Sequence, residues 1–129
     1  MKKLSLAMLS LVFLFSFATS VFAATTGSVT STRKDNAAKS ITITGSGKYM
    51  KFTVTYSGSV GDGYGGDGVL IKKTSASTGE EIASFNVDPS SKSQSTDVWL
   101  DKNATYILQA DVSIFAASDA SVTASIKER

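Results

Sequence analysis

From residue 39 onward, apolar side chains recur at every second position, and most of them are β-branched or aromatic. A period of two sends neighbouring side chains to opposite faces, so each run predicts a strand with one buried and one solvated face. Ser40-Ile41-Thr42-Ile43-Thr44 turns Ile41 and Ile43 inward. Lys48 to Tyr56 predicts a long strand, with Met50, Phe52, Val54 and Tyr56 on one face and Tyr49, Lys51, Thr53 and Thr55 on the other. Further strands are predicted over Val69 to Lys73, Ile82 to Val87 and Thr96 to Leu100, the last with Val98 and Leu100 opposed to Asp97, Trp99 and Asp101. Thr105 to Phe115 then sets Tyr106, Leu108, Ala110, Val112 and Ile114 on one side, and Ser121 to Lys127 buries Val122, Ala124 and Ile126. No stretch carries a helical stripe.

Turn chemistry separates these runs. The segment from Ser57 to Gly68 holds six of the ten glycines and predicts a loop. Asp88-Pro89-Ser90-Ser91 and Asp101-Lys102-Asn103 supply two more breaks. Every connection is too short for a crossover helix, so pairing is antiparallel. The expectation is an all-β fold, an antiparallel β-sandwich of seven to eight strands with jelly-roll-like order; a small closed β-barrel is the alternative. Residues 24–38, rich in Thr, Ser and Ala, read as an N-terminal arm with a short strand near Val29, and residues 39–129 as the sandwich domain.

Residues 1–23 have a different pattern. Met1-Lys2-Lys3 precedes an apolar run from Leu4 to Ala18 and the small residues ending at Ala23, which is the layout of a signal peptide cleaved after Ala23. The run is shorter than the roughly 20 residues of a spanning helix. The expectation is a secreted protein with no stable membrane insertion after cleavage. No cysteine is present to carry a lipid anchor. Lys2 and Lys3 are the whole excess of 13 basic over 11 acidic groups, so the remaining chain is neutral. Neutrality argues against nucleic acid as a partner and against a cationic toxin or antimicrobial protein.

Composition narrows the chemistry further. Without histidine or cysteine there is no Ser-His-Asp triad, no thiol nucleophile and no ordinary zinc, haem or iron–sulfur site. Paired carboxylates do not suit glycoside cleavage: Glu80 and Glu81 point to opposite faces, and Asp97 and Asp101 lie about 13 Å apart at the strand rise. The reading is therefore no enzyme and no required cofactor. One cation is considered, Ca2+, through Asp62 and Asp67 and the carbonyls of the glycine-rich loop. Lys72-Lys73 and Arg33-Lys34 read as solvated pairs, and Asn103-Ala104-Thr105 as a turn that matches a glycosylation sequon.

The outward positions offer a more specific chemistry. Trp99, Tyr49 and Tyr64 fall on polar faces or in a loop, where an aromatic ring can stack on a pyranose while the carboxylates of Asp97 and Asp101 accept hydroxyl protons.

The run Trp99-Leu100-Asp101-Lys102-Asn103-Ala104-Thr105-Tyr106-Ile107-Leu108-Gln109-Ala110 resembles the closing segment of bacterial pre-peptidase C-terminal-like domains, and Gly68-Val69-Leu70-Ile71 with Gly79 is similar to their central hairpin. The likeness covers residues 45–115. It implies a jelly-roll sandwich that is non-catalytic and serves as an accessory module of an exported enzyme. Taken together, the expectation is a secreted binding module for extracellular or cell-wall polysaccharide. The alternative is a structural or interaction protein, such as a matrix component or an inhibitor of an exported enzyme.

Overall fold

Alternation along the chain becomes eight strands in a computed structural model that describes residues 24–129; the signal peptide assigned to residues 1–23 lies outside the described residues. The strands are β1 (Gly27–Thr32), β2 (Lys39–Thr44), β3 (Lys48–Ser57), β4 (Gly66–Lys73), β5 (Gly79–Val87), β6 (Ser93–Leu100), β7 (Thr105–Val112) and β8 (Ser121–Glu128). They form two four-stranded antiparallel sheets, ordered β1-β8-β3-β6 and β2-β7-β4-β5. β1 pairs with β8, β2 with β7, β3 with β6 and β4 with β5. The chain is thus one long antiparallel ribbon, β4–β5 at its tip, rolled so that successive pairs fall in alternate sheets. That order is the jelly roll. The sheets do not close on one another, which rules out the barrel alternative.

The core is the inward set of both sheets. Met50, Phe52, Val54 and Tyr56 of β3 meet Leu70 of β4, Tyr106, Leu108, Ala110 and Val112 of β7, and Val122, Ala124 and Ile126 of β8. Phe52 stacks on Phe85 across the two layers, with centroids 5.7 Å apart. A bulge at Leu70/Ile71 leaves Ile82 as an extra residue on β5, so Ile82 and Ala83 both pack against the core.

Three boundaries differ from the sequence reading. The stretch taken as an arm contains β1, fully paired with β8, so the sandwich begins near Gly27 and not at residue 39. Val29 is buried there, and Ser31 is buried too because its hydroxyl donates to the Ala37 carbonyl at 2.7 Å and accepts from the Val112 N–H at 3.1 Å. β7 stops at Val112, short of Phe115, because the Ser113 N–H turns to the Gly65 carbonyl at 2.7 Å. Ile114 and Phe115 are consequently exposed. β4 starts at Gly66, so Asp67 belongs to a strand and not to the glycine-rich loop. Among the described residues, no helix is long and apolar enough to cross a membrane.

Candidate binding surfaces at the two ends of the sandwich

Tyr49 is the second residue of β3 and Trp99 the last but one of β6, and the antiparallel register sets them directly opposite each other. Their neighbours Met50 and Val98 point into the core, so both rings point outward, 51% and 48% exposed. The rings meet edge to face, centroids 5.2 Å apart and planes at 75°. They form a corner of two walls rather than one flat platform. The Arg129 guanidinium lies over Tyr49 at 5.6 Å and pairs with the Asp97 carboxylate at 3.3 Å.

Asp101 fixes the indole. Trp99 Nε1 donates to Asp101 Oδ1 at 3.0 Å, and Lys72 Nζ donates to Oδ2 at 2.6 Å. These contacts, Lys72 first and then the indole, hold the Asp101 carboxyl below the usual carboxylate range, and the same bond raises Lys72. The Asp101 N–H donates to the hydroxyl of the buried Tyr106 at 2.8 Å, and the Gly47 and Asn103 N–H groups tie the β2–β3 and β6–β7 turns together through the Leu100 and Gly45 carbonyls. Gly45 must lack a side chain, since a Cβ there would sit 2.0 Å from the Asp101 carbonyl oxygen. Of the two carboxylates expected from the sequence to receive sugar hydroxyls, Asp101 holds the Trp99 indole and Lys72, and Asp97 pairs with Arg129 at the half-exposed edge of the same corner.

Tyr64 does not join them. Tyr49 is near the start of β3 and Tyr64 lies in the loop beyond its other end, so nearly the whole strand separates them, about 26 Å at a rise of about 3.3 Å per residue. There it meets Phe115, with centroids 5.5 Å apart. Val60 and Phe115, which sequence reasoning did not single out, are exposed at this end, and so is Ile114, which the alternation had placed with the inward set of the same strand. Beside Tyr64 is a shallow, open depression of about 330 Å³ whose lining includes Tyr64, Asp67, Asn86, Asp88, Asp111 and Ser113. Desolvation pushes the Asp111 carboxyl up, whereas hydrogen bonds from Ser90 and Ser91 hold Asp88 down. Asp62 is exposed in the loop, and Asp67 faces outward from β4. Among the described residues, no group of three or more acidic side chains converges closely enough to hold a metal ion.

No family model matches the chain, and no curated protein matches it. Solved structures give loose likenesses. A Yersinia pseudotuberculosis-derived mitogen aligns over 81% of this chain and 84% of its own at 11% identity, with a TM-score of 0.48. Aeromonas hydrophila PliG, a periplasmic inhibitor of g-type lysozyme, covers 83% and 92% at 15% identity, with a TM-score of 0.45. A CBM4 structure covers 77% and 89% at 10% identity, with a TM-score of 0.34.

Proposed function

We propose that the protein is an exported, non-catalytic β-sandwich module that binds extracellular or cell-wall polysaccharide at the Tyr49–Trp99 corner. The observation that carries this reading is the pre-set indole: a half-exposed tryptophan on a polar sheet face, held by Asp101, which is itself held by Lys72 and the Tyr106 hydroxyl. A ring already fixed in place loses little conformational freedom when a sugar stacks on it. Lys51, exposed on the same outer face and beside Tyr49, offers a donor to ring hydroxyls. The site suits binding better than cleavage, because Lys72 and the Trp99 indole both engage the Asp101 carboxylate and hold it below the usual carboxylate range, so that it orients the ring rather than offering a proton. The accessory-module role implied by the likeness to pre-peptidase C-terminal-like domains belongs to the same proposal.

The test is co-sedimentation with insoluble cellulose, chitin, β-glucan and peptidoglycan. Binding to at least one polymer is expected, with Trp99→Ala weakening it about 30-fold, the effect of losing a hot-spot aromatic worth ~2 kcal/mol. Phe115→Ser, at the other end of the sandwich, leaves it unchanged. Absence of binding to every polymer, or equal binding by Trp99→Ala, rejects the proposal.

A further inference from the structure

The outer face of the β1-β8-β3-β6 sheet carries a pattern that the corner alone does not use. Strand register sets Ser28, Ser125, Thr53 and Ser95 in one row across the four strands, and Thr30, Thr123, Thr55 and Ser93 in the next. Hydroxyls thus recur about every 4.8 Å across the sheet and about every 6.7 Å along it. The other sheet differs, with Thr42, Ile107 and Ile71 making one row of its outer face. Tyr49 and Trp99 stand on the same face as the hydroxyl rows, separated from them by the row of Lys127, Lys51 and Asp97, in which Asp97 pairs with Arg129. From the Tyr49 ring to the Thr55 row is about 20 Å along β3.

Most of these hydroxyls are free. Thr30 and Thr123 bond to each other, Oγ1 to Oγ1 at 2.8 Å, and the others have no hydrogen-bond partner among the described residues. Ser125 is the informative one. Ala124 and Ile126 on either side of it are wholly buried in the core, so its side chain points outward between those of Ser28 and Thr53, yet it is only 7% exposed. A hydroxyl so enclosed and without a partner is costly to leave unmatched, and a ligand that bonds to it removes that cost. Hydroxyls both donate and accept, so they suit sugar hydroxyls in either role, whereas phosphate or carboxylate recognition calls for charged donors.

We infer that the ligand is a single, uncharged glycan chain several sugar units long, which stacks on Trp99 at the corner and continues over the outer face of this sheet, bonding to Ser125, Thr53 and Ser95. The inference rests on the corner's binding sugar and adds the form of the substrate and the residues that read its length. Charge and shape select this occupant. The outer positions of the strands beyond the Lys51 row carry no charge, so an anionic polymer finds no counter-charges there. Adjacent strands turn by about 20–25°, which accumulates to about 60–75° over four strands, so the face does not lie flat on a crystalline surface and takes one chain at a time.

The probes are oligomers of two, four and six units of β-1,4-linked glucose, β-1,3-linked glucose and β-1,4-linked N-acetylglucosamine, titrated calorimetrically into the full protein. In at least one series affinity is expected to rise about tenfold or more from two units to six, as added hydrogen bonds would produce. Combining Thr53→Val with Ser125→Ala removes two hydroxyls and keeps strand-compatible side chains; this double variant is expected to lose the gain with length while binding the two-unit oligomer as the parent does, which also verifies that it folds. Trp99→Ala is expected to weaken every length. Equal affinity for two and six units, or a double variant that keeps the gain, overturns the inference and leaves the corner standing. Retention of a polymer in co-sedimentation without binding of any oligomer does the same, because the ligand would then be a crystalline surface. No binding of oligomer or polymer overturns both readings. A dimer in sedimentation that the double variant abolishes also overturns the inference, since a second copy of this chain would then cover the face.

Discussion

Gly68 gives a direct test of how the two sheets face each other. It lies on the inward face of β4, in register with Phe85 of β5 and Ala110 of β7. A Cβ at this position would sit 2.6 Å from Val54 Cγ2, 3.0 Å from Val54 Cγ1 and 3.1 Å from the Ala124 Cβ, all in the opposite sheet. Gly68→Ala therefore overpacks the core and is expected to cost about 1–3 kcal/mol. Val54→Ala removes the two methyl groups that the new Cβ would strike, and by itself costs about 2–3 kcal/mol in lost burial and cavity. In the double variant the alanine at 68 enters space that Val54 has vacated. The double variant should then lose at least ~1 kcal/mol less than the two single losses added together. Urea unfolding at pH 7 followed by circular dichroism measures all four proteins; in thermal unfolding, Gly68→Ala alone should lower the Tm by roughly 4–12 °C. If Gly68→Ala is within about 0.5 kcal/mol of the parent, or the two changes simply add, Gly68 does not face Val54 and the packing described here is wrong.

Three other outcomes follow from the carboxylates and the loop. The carboxyls of Asp88, Asp101 and Asp119 are all held low in the folded protein, so their stabilising contribution is present above the unfolded-state pKa near 3.9 and disappears as pH falls through their folded values. Urea midpoints should drop below about pH 4, and Asp101→Asn should show a shallower drop. Asp111 has the opposite sign: burial raises its folded pKa, so the folded state is penalised at pH values where the group must ionise. Asp111→Asn should raise the midpoint at pH 7 and lose that advantage at pH 3; a destabilised variant at pH 7 would contradict this. Asp62 and Asp67, the residues considered for Ca2+, do not share the loop, so thermal unfolding in millimolar CaCl2 and in chelator should give the same Tm. A rise in Tm with CaCl2 would mean that the loop gathers more oxygen ligands than two carboxylates.

The layered architecture was legible because period-two alternation is a direct consequence of strand geometry, and it placed Phe52, Leu108 and Ile126 inside and Tyr49 and Trp99 outside. Pairing was not legible. Nothing local to Tyr49 or Trp99 says that β3 and β6 are neighbours in a register that joins the two rings; that follows from how the ribbon rolls. β1 carries a weak alternating signal because its second inward residue is Ser31, whose burial is made tolerable by bonds to the Ala37 carbonyl and to the Val112 N–H on β7, partners that the local pattern does not reveal. Gly66 and Gly68 read as loop residues, but they are strand glycines kept small by the Asp111 carbonyl and by Val54 across the core. Ile114 continued an alternating run, and only the Ser113–Gly65 hydrogen bond, a contact between two loops, shows why the strand ends before it. Tyr64 was grouped with Trp99 by chemistry alone, and the length of β3 separates them.

The central claim is that the ring of Trp99 receives the ligand. It is the single tryptophan of the chain, so its fluorescence reports on that corner alone. Titration of the full protein with soluble oligosaccharides from whichever polymer it retains should shift or quench the emission in a saturable way, with a dissociation constant matching that from co-sedimentation and weakened by Tyr49→Ala. Retention of the polymer with an emission spectrum that does not change at saturation would contradict the account, because it would place the bound sugar away from Trp99.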